Sequence, residues 1–255
     1  MKLSISQIKY VKSLHARKSR QKYHNFVVEG EKMCGEVLRQ GDLEIELIAT
    51  TQEWADANRS LLKVHERRLH IVSTKELKRV SLLATPNQVL LVACQPEHQF
   101  PGHIRDLTLY LDGLQDPGNL GTILRVADWF GIEWVFYSPD TVEVFNPKVV
   151  QASMGAFLRV KCMAAEFGDL KEAFPGIPIY GAVLDGDNVF KMFLPPAAIL
   201  VIGNESRGIS PMLQQQLTHR AAIPRHAIGG AESLNAAVAA GILCATFRNY
   251  RVSGL

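Results

Sequence analysis

The sequence predicts an α/β protein in which a small domain precedes a larger one built on a parallel sheet. The 255 residues are enough for one large domain or two ordinary ones, and 47% hydrophobic and 21% charged residues are typical of a folded chain. Apolar strand-like runs alternate with helix-like runs, which favours strands joined by helices. Residues 95–106 interrupt the alternation with two prolines and a glycine, so we expect a linker there.

The first part of the chain is expected to form a small α/β domain over residues 1–96, followed by a linker over 97–105. Apolar residues at helical spacing predict an amphipathic helix over 3–16 with a basic turn behind it. Apolar runs predict strands at 25–29, 45–50, 69–73 and 88–94. Helices are predicted at 30–40 and 74–80, the second capped by Ser73 or Thr74.

Residues 106–255 are expected to form the second domain, around a parallel sheet with helices on both faces. Apolar runs predict strands at 107–113, 134–139, 157–163, 177–184, 197–204 and 221–224. Helix-like runs lie between and after them, at 119–130, 146–155, 168–174, 211–219 and 233–250. Such sheets bind ligands at the carboxyl ends of their strands, so the loops that follow the strands are where we expect the chemistry.

Positive charge is concentrated at the start of the chain. Residues 1–104 carry 16 Lys and Arg against 11 Asp and Glu, a net of +5, whereas residues 105–255 carry 12 against 14, a net of −2. Seven cations precede the first acidic residue, Glu29, namely Lys2, Lys9, Lys12, Arg17, Lys18, Arg20 and Lys22. A polyanion such as a nucleic acid is the natural partner for such a segment, and the last four of these cations are our candidate nucleic-acid-binding residues. A solvated, solubilising tail is the alternative.

Membrane insertion, secretion and metal binding are not indicated by the sequence. No apolar run reaches the roughly 18 residues that a membrane helix needs. No apolar stretch follows the basic N-terminus as it would in a secretory signal, so we expect a cytoplasmic protein. Cys34, Cys94, Cys162 and Cys244 are too far apart in sequence for a metal knuckle or a redox pair, and free thiols are predicted.

The first loop of interest runs from Asp112 to Arg125 and enters a helix for which Asn119 is a candidate N-cap. Arg125 then follows in an otherwise apolar helix, where a cation is costly unless it has a partner or faces a site. The alternative is an arginine that reaches solvent or pairs with Asp128 or Asp112.

Two further loops carry polar residues out of apolar strands. In the loop over 200–211, Gly203 and Gly208 flank Glu205, and the glycines allow the backbone to approach a ligand closely. Neither a Walker nor a dinucleotide spacing is present, and an ordinary turn with a solvated Glu205 is the alternative. In the loop over 223–240, Ser233 is a candidate helix cap and Asn235 a candidate ligand contact. A capped core helix without a ligand is the alternative.

The order of the three loops resembles that of the SpoU (TrmH-like) RNA 2'-O-ribose methyltransferases of the SPOUT superfamily. The N-x-G-x-x-x-R motif of that family matches Asn119, Gly121 and Arg125, and its G-x-E-x-x-G motif matches Gly203, Glu205 and Gly208. Its third motif, Ile-Pro followed by Ser-Leu-Asn, matches Ile223, Pro224 and 233–235. The resemblance covers essentially the whole chain and makes residues 1–96 the family's substrate-binding domain.

The resemblance implies a methyltransferase domain with a trefoil knot, S-adenosylmethionine as cofactor, no metal, and a homodimer through the C-terminal domain. In such dimers the first-motif arginine of one subunit acts near the cofactor of the other. The implied catalytic residues are Arg125, Asn119, Glu205, Ser233 and Asn235. The implied cofactor-binding residues are Leu184, Gly186, Ile202, Gly203, Asn204, Gly208, Ile223, Ser233 and Leu234. The third loop is longer than is usual in the family, and we expect its His226 to be exposed.

The expected reaction is transfer of a methyl group to a ribose 2'-hydroxyl, in ribosomal RNA first and in transfer RNA as the alternative. We expect Arg125 to clamp a phosphate and orient the ribose, because a guanidinium with a pKa above about 12 is a poor base. Glu205 and Asn119 are expected to hold Arg125 or to accept from the hydroxyl. The rival hypotheses are an RNA-binding protein of the same fold without catalysis, and methylation of a small molecule or a protein.

Overall fold

The computed structural model describes residues 2–83, 85 and 87–252. The chain divides into two compact units, one formed by Met1–Glu97 with Phe145–Gly155 and the other by His98–Val144 with Ala156–Leu255. Each unit combines helices with a sheet, which confirms the α/β class. The segment 145–155 belongs to the first unit, although it follows the predicted linker in sequence. The domain boundaries at 96 and 106 stay a prediction.

The described residues form ten strands and eleven α-helices. The strands are β1 (Asn25–Glu29), β2 (Ile45–Thr50), β3 (Leu69–Ile71), β4 (Val89–Cys94), β5 (Leu107–Asp112), β6 (Trp134–Tyr137), β7 (Lys161–Ala164), β8 (Ile179–Asn188), β9 (Ala198–Gly203) and β10 (His219–Ala222). The helices are α1 (Ile5–Ser13), α2 (Arg17–Tyr23), α3 (Glu31–Gln40), α4 (Gln52–Ala57), α5 (Arg59–Leu62), α6 (Thr74–Val80), α7 (Pro117–Trp129), α8 (Pro147–Ser153), α9 (Phe167–Ala173), α10 (Pro211–Gln214) and α11 (Ala236–Val252).

The first unit is built on a four-stranded mixed sheet with the strand order β1-β4-β2-β3. Its helices begin where the sequence provides caps: Ser4 and Gln7 form a capping box at α1, and Ser73 and Glu76 form one at α6. Ser73, and not Thr74, is therefore the cap of α6. The predicted basic turn behind α1 is wrong, because residues 17–23 form the helix α2.

The second unit contains a six-stranded sheet with the order β10-β8-β9-β5-β6-β7, and every neighbouring pair in it is parallel. The predicted parallel sheet is confirmed. Its central strand β9 reads Ala-Ile-Leu-Val-Ile before Gly203, and these five residues are buried, as a strand covered on both faces requires. Because all strands run the same way, their carboxyl ends form one edge of the sheet.

Three expectations in this unit are corrected. The strand predicted at 157–163 is a 3-10 helix at Ala156–Leu158 followed by β7. The helix predicted at 211–219 ends at Gln214, because the chain enters β10 at His219, two residues before the predicted strand. The last helix begins at Ala236 and not at 233.

Two expectations from composition can be compared with the structure. The four cysteines are free thiols, as predicted, and Cys34 and Cys244 are buried. Within the part of the chain that the structure describes, no helix is both long enough and apolar enough to cross a bilayer.

Candidate active site

The three motif loops leave the sheet of the second unit at its carboxyl edge. The first follows β5 and the second follows β9, and these strands are neighbours in which Asp112 pairs with Gly203. The third follows β10, which pairs with β8 on the other side of β9. The parallel topology thus brings residues from three distant stretches of sequence to one edge of the sheet.

The first motif places Asn119 inside a helix and not at its cap. The N-cap of α7 is Asp116, whose carboxylate accepts from the backbone N–H of Asn119 at 2.7 Å, and Pro117 occupies the first helical position. The prediction of Asn119 as N-cap is therefore wrong. Its side-chain amide is left available for other groups.

Glu205 of the second motif binds the start of the first motif. The side-chain N–H of Asn119 donates to Glu205 Oε1 at 3.0 Å, and the backbone N–H groups of Asp116 and Gln115 donate to the same carboxylate at 3.2 and 3.4 Å. Glu205 thereby holds the entry of α7. The alternative suggested by the sequence, an ordinary turn in which Glu205 is a solvated charge, is therefore wrong.

These hydrogen bonds keep Glu205 ionised. Partial burial alone would raise the pKa of its carboxyl, but the donors Asn119, Asp116 and Gln115, together with its own backbone N–H, lower the pKa below its ordinary value. A carboxylate offers about four lone-pair sites, and three donors from other residues engage its two oxygens here. This geometry favours a role of Glu205 in holding the start of α7 over the expected role in accepting from the hydroxyl.

Asn235 of the third motif completes a chain of hydrogen bonds. Its side-chain N–H donates to Asn119 Oδ1 at 2.8 Å, and its Oδ1 accepts from the backbone N–H groups of Ala237 and Val238 at 2.9 and 3.3 Å. Asn235 therefore caps α11, which corrects the assignment of Ser233 as the cap. Ser233 is exposed and makes no hydrogen bond among the described residues.

Asn204, which is half-buried, links the second motif loop to the first through hydrogen bonds. Its Nδ2 donates to the carbonyl of Gly113 at 2.7 Å, and its Oδ1 accepts from the backbone N–H groups of Ser206 and Arg207 at 3.0 and 3.1 Å. Its main chain pairs with Gly208 in both directions. Because both polar atoms of its side-chain amide are hydrogen bonded within the protein, Asn204 could contact a cofactor only through its main chain.

Arg125 is exposed and makes no side-chain hydrogen bond or ion pair within residues 2–83, 85 and 87–252. The two partners considered from the sequence are occupied. Asp128 accepts from Arg159, at 2.8 to 3.0 Å, and Asp112 accepts from the backbone N–H of Ser210 at 2.6 Å. A cation without a partner on the helix that carries the first motif is suited to an anionic ligand.

The glycines expected to face the cofactor are required by packing between chain segments. A Cβ on Gly203 would lie 2.3 Å from the carbonyl carbon of Gly208, and one on Gly186 would lie 2.5 Å from the carbonyl oxygen of Arg220. Gly208 has a φ of +67°, a conformation that favours glycine. The absence of a side chain at Gly203 and Gly186 thus allows backbone segments to lie in contact. The sequence had suggested a different reason for glycine at 203, namely the close approach of a ligand.

Apolar groups at the same edge fit the adenosine of S-adenosylmethionine. The side chains of Leu184 and Leu234 are 78% and 47% exposed, Ile223 is half-buried, and Ile202 is buried in β9. Leu184, in β8, and Leu234, in the third motif loop, provide exposed apolar surface for an aromatic ring, and such surface together with a few polar groups is typical of cofactor sites. We retain Leu184, Ile223 and Leu234 as candidate contacts and assign Ile202 to the core.

Sequence reasoning missed two residues that shape the site. Asp116 caps α7, and the backbone of Gln115 donates to Glu205. Asp before Pro at a helix start is a cap signal that could have identified Asp116. No signal in the sequence identifies a backbone N–H as the partner of a carboxylate 90 residues away.

In the first unit, the structure divides the candidate RNA-binding residues. Arg17, Lys18 and Lys22 are exposed. Arg20 is only 2% exposed, and its guanidinium donates to the carbonyl of Leu14 at 2.7 Å. Arg20 is therefore corrected to a structural residue, because a buried cation that bonds the main chain is not available to phosphates. His226 of the lengthened third loop is exposed, as expected.

We predict that replacement of Glu205 by Gln lowers the free energy of unfolding at neutral pH by about 1 kcal/mol, after allowing for solvent screening. The pKa of Glu205 is depressed in the folded state, so its contribution is present above the unfolded pKa, near 4.5, and is lost as the pH falls through the folded pKa. Urea titrations at several pH values should show the difference between wild type and variant shrinking below that pH. The exposed Glu172→Gln is the control, and an equal loss in both variants would contradict the assignment.

Comparisons with known proteins identify relatives of both parts of the chain. Residues 106–245 match the model of the SpoU rRNA Methylase family, and residues 6–91 match the MRM3-like substrate binding domain. The 23S rRNA (guanosine(2553)-2'-O)-methyltransferase RlmP of Bacillus subtilis is 28% identical over 242 residues, which are 93% of this chain and 94% of that protein.

Two solved structures share the fold. A Porphyromonas gingivalis protein assigned to the TrmH family is 39% identical, with a TM-score of 0.86 over 98% of this chain and 100% of its own. The SpoU methyltransferase AviRb of Streptomyces viridochromogenes, in complex with AdoMet, is 23% identical, with a TM-score of 0.85 over 99% and 100%. The fold class that the resemblance implied is confirmed. The chain belongs to the SpoU rRNA Methylase family.

Proposed function

We propose that the protein transfers a methyl group from S-adenosylmethionine to a ribose 2'-hydroxyl of RNA, with ribosomal RNA as the favoured substrate. Its family makes it an S-adenosylmethionine-dependent RNA methyltransferase. The observation that carries the proposal is the series of hydrogen bonds from Asn235 through Asn119 to Glu205, which connects the three motif loops. Asn119 lies on α7, the helix that also carries Arg125, whose side chain has no hydrogen-bond partner in the described part of the chain. The name of RlmP, a 23S rRNA 2'-O-methyltransferase, supports the ribose and the ribosomal RNA.

S-adenosylmethionine supplies a methyl group that is activated by a positively charged sulfur. Leu184, Ile223 and Leu234 would contact it, together with the backbone around Gly203. The protein must then orient the ribose so that the hydroxyl meets the methyl group in line, since alignment of the reacting atoms contributes much of the rate of such transfers.

Arg125 is proposed to hold the phosphate beside the target ribose through paired N–H donors. Glu205 and Asn119 are proposed to keep α7, and therefore Arg125, in place. Neither is suited to take the hydroxyl proton, because the carboxylate of Glu205 is occupied by donors and Asn119 Oδ1 accepts from Asn235. Asn235 contributes by fixing Asn119 and by capping α11.

A homodimer through the second unit is part of the proposal. Arg125 follows Asn119 by six residues, which is about 240° around the axis of a helix, so the two side chains leave α7 in different directions. An acceptor held by Arg125 would then lie near the motif loops of a second copy. The side chain of Trp129, in the last turn of α7, is 85% exposed, and Val238 on α11 is 51% exposed, which gives this unit apolar surface for a partner. We also propose a cytoplasmic location.

Incubation with S-adenosylmethionine labelled in its methyl group and with protein-free ribosomal RNA should transfer the label to RNA. A 2'-O-methyl group removes the nucleophile of alkaline cleavage, so the labelled nucleotide should resist alkali and be recovered in a dinucleotide. Recovery of the label in a mononucleotide would place the methyl group on a base and contradict the proposal.

Two controls separate the remaining alternatives. Protein-free transfer RNA tests the second choice of substrate, and label in transfer RNA alone would replace ribosomal RNA as the acceptor. A protein that binds S-adenosylmethionine in calorimetry and binds RNA, yet transfers no label to either RNA, would favour the non-catalytic alternative.

A further inference from the structure

Six α-helices of the first unit, α1 to α6, fall into two groups that differ in charge. In the first group, Ile8 and Val11 of α1 share one apolar core with Leu77 and Val80 of α6, and α2 is joined to α1 by the hydrogen bond from Arg20 to Leu14. In the second group, α5 packs against both α3 and α4. We call α1, α2, α6 and the preceding Lys2 the basic group, and α3, α4 and α5 the mixed group.

The basic group exposes nine cations and carries one acidic residue. The exposed cations are Lys2, Lys9, Lys12, Arg17, Lys18, Lys22, Lys75, Lys78 and Arg79. The acidic residue is Glu76, whose carboxylate accepts from the backbone N–H and the hydroxyl of Ser73, both at 2.8 Å. The mixed group carries four acidic residues, Glu31, Glu36, Glu53 and Asp56, against three cations, Lys32, Arg39 and Arg59. The excess of positive charge therefore belongs to one group of helices and not to the whole unit.

The cations of α6 lie beside those of the N-terminal segment, although about 50 residues separate them in sequence. Ile8 and Val11 of α1 pack with Leu77 and Val80 of α6 in one core, so the two helices are neighbours. The charges of Lys2 and Arg79 accordingly add to the lowering of the pKa of Glu76, which comes mainly from its hydrogen bonds to Ser73. Exposed cations of the N-terminal segment and of α6 are therefore carried by helices that pack against each other.

We propose that α6 belongs to the RNA-binding surface, and that Lys75, Lys78 and Arg79 contact RNA phosphates together with the exposed cations of α1 and α2. The inference rests on the proposed function, because it takes RNA as the substrate. A group of exposed cations with a single acidic residue suits a sugar-phosphate backbone, whose charges repeat every few ångströms along each strand. Acidic protein surfaces are the other polyanion to be tested.

The test compares three triple variants of the full chain: Lys75→Gln, Lys78→Gln and Arg79→Gln in α6; Arg17→Gln, Lys18→Gln and Lys22→Gln in α2; and Lys32→Gln, Arg39→Gln and Arg59→Gln as the matched control in the mixed group. Gln keeps a long side chain and a similar helix propensity at these exposed positions. Filter binding to poly(U) RNA across a salt series measures the slope of log affinity against log salt. Melting temperatures and S-adenosylmethionine affinity report whether each variant is folded.

If all three cations of α6 contact phosphates, the slope should flatten by about 2 and the affinity at moderate salt should fall about tenfold or more, because each lost contact removes roughly 0.7 from the slope for single-stranded RNA. The α2 variant should behave in the same way, and the control should retain the wild-type slope. S-adenosylmethionine affinity should be unchanged in all three.

A wild-type slope in the folded α6 variant would overturn the inference, as would an equal loss in the mixed-group control. Equal affinity of the wild type for polyglutamate would assign the surface to acidic proteins instead. Failure of the proposed function looks different: the wild-type protein would then transfer no methyl group to protein-free RNA, whatever its slope with poly(U).

Discussion

Replacement of Arg125 by Ala should reduce methyl transfer by about a hundredfold to a thousandfold, the range found when one positioned donor is removed from an active site. The side chain is exposed and has no partner in the described chain, so its removal leaves no buried group unsatisfied. We therefore expect the free energy of unfolding and the affinity for S-adenosylmethionine to change little. Single-turnover transfer to protein-free ribosomal RNA, with calorimetry for the cofactor, measures both quantities.

The conservative variant Arg125→Lys distinguishes a bidentate phosphate clamp from a simple charge. Lysine keeps the charge but lacks the planar pair of donors, so we expect it to recover only part of the lost rate. Lys171→Ala, which removes an exposed cation from α9, is the control and should leave transfer unchanged. A transfer rate near that of wild type in Arg125→Ala would remove this residue from the catalytic list.

Replacement of Gly203 by Ala should lower the free energy of unfolding by about 3 kcal/mol and abolish cofactor binding with it. The added Cβ would lie 2.3 Å from both the carbonyl carbon of Gly208 and the backbone nitrogen of Ile209, a clash that no side-chain rotation relieves. Overpacking of this kind typically costs about 1–3 kcal/mol, and clashes with main chain lie at the upper end. The sequence suggested that Gly203 lets the backbone approach a ligand, and the structure adds a contact with the backbone of Gly208 and Ile209 that also requires glycine.

Gly168→Ala is the matched control, because it adds the same atom in α9 where nothing lies within 4 Å. It should be neutral or slightly stabilising, as alanine is favoured over glycine in helices. Urea unfolding of the two variants beside wild type, with S-adenosylmethionine calorimetry on each, checks the pair. Normal stability in Gly203→Ala would show that the backbone around Gly208 and Ile209 can move away from position 203 without cost.

The arrangement of the motif residues follows in part from the sequence and in part from the folded chain. Apolar runs separated by helices were enough to predict the parallel sheet, because a strand buried on both faces has few other solutions. The same pattern placed the three motif loops after strands and so at one edge. It could not show that Glu205 binds Asn119 and the backbone of Asp116, because that contact depends on the register in which Asp112 meets Gly203 across the sheet.

Local signals were misleading where a long-range contact competed with them. Ser233 is a common cap residue, yet α11 begins at Ala236 because Asn235 bonds both the helix start and Asn119. Arg20 was grouped with its neighbours by charge, yet it is the one that turns inward to the carbonyl of Leu14. In each case the three-dimensional partner, and not the residue type, decided the role.

The sequence by itself determined the α/β class, the family, the identity of the motif residues and the concentration of positive charge at the start of the chain, because each depends on residue type and spacing alone. The tertiary structure decided which of those residues touch. It engaged Glu205 with three donors, left Arg125 without a hydrogen-bond partner in the described part of the chain, used Gly203 for contact between backbones, and packed α6 against α1. The physical reason is that hydrogen bonds and clashes act over a few ångströms, so they depend on which distant segments the packing of the sheets brings together.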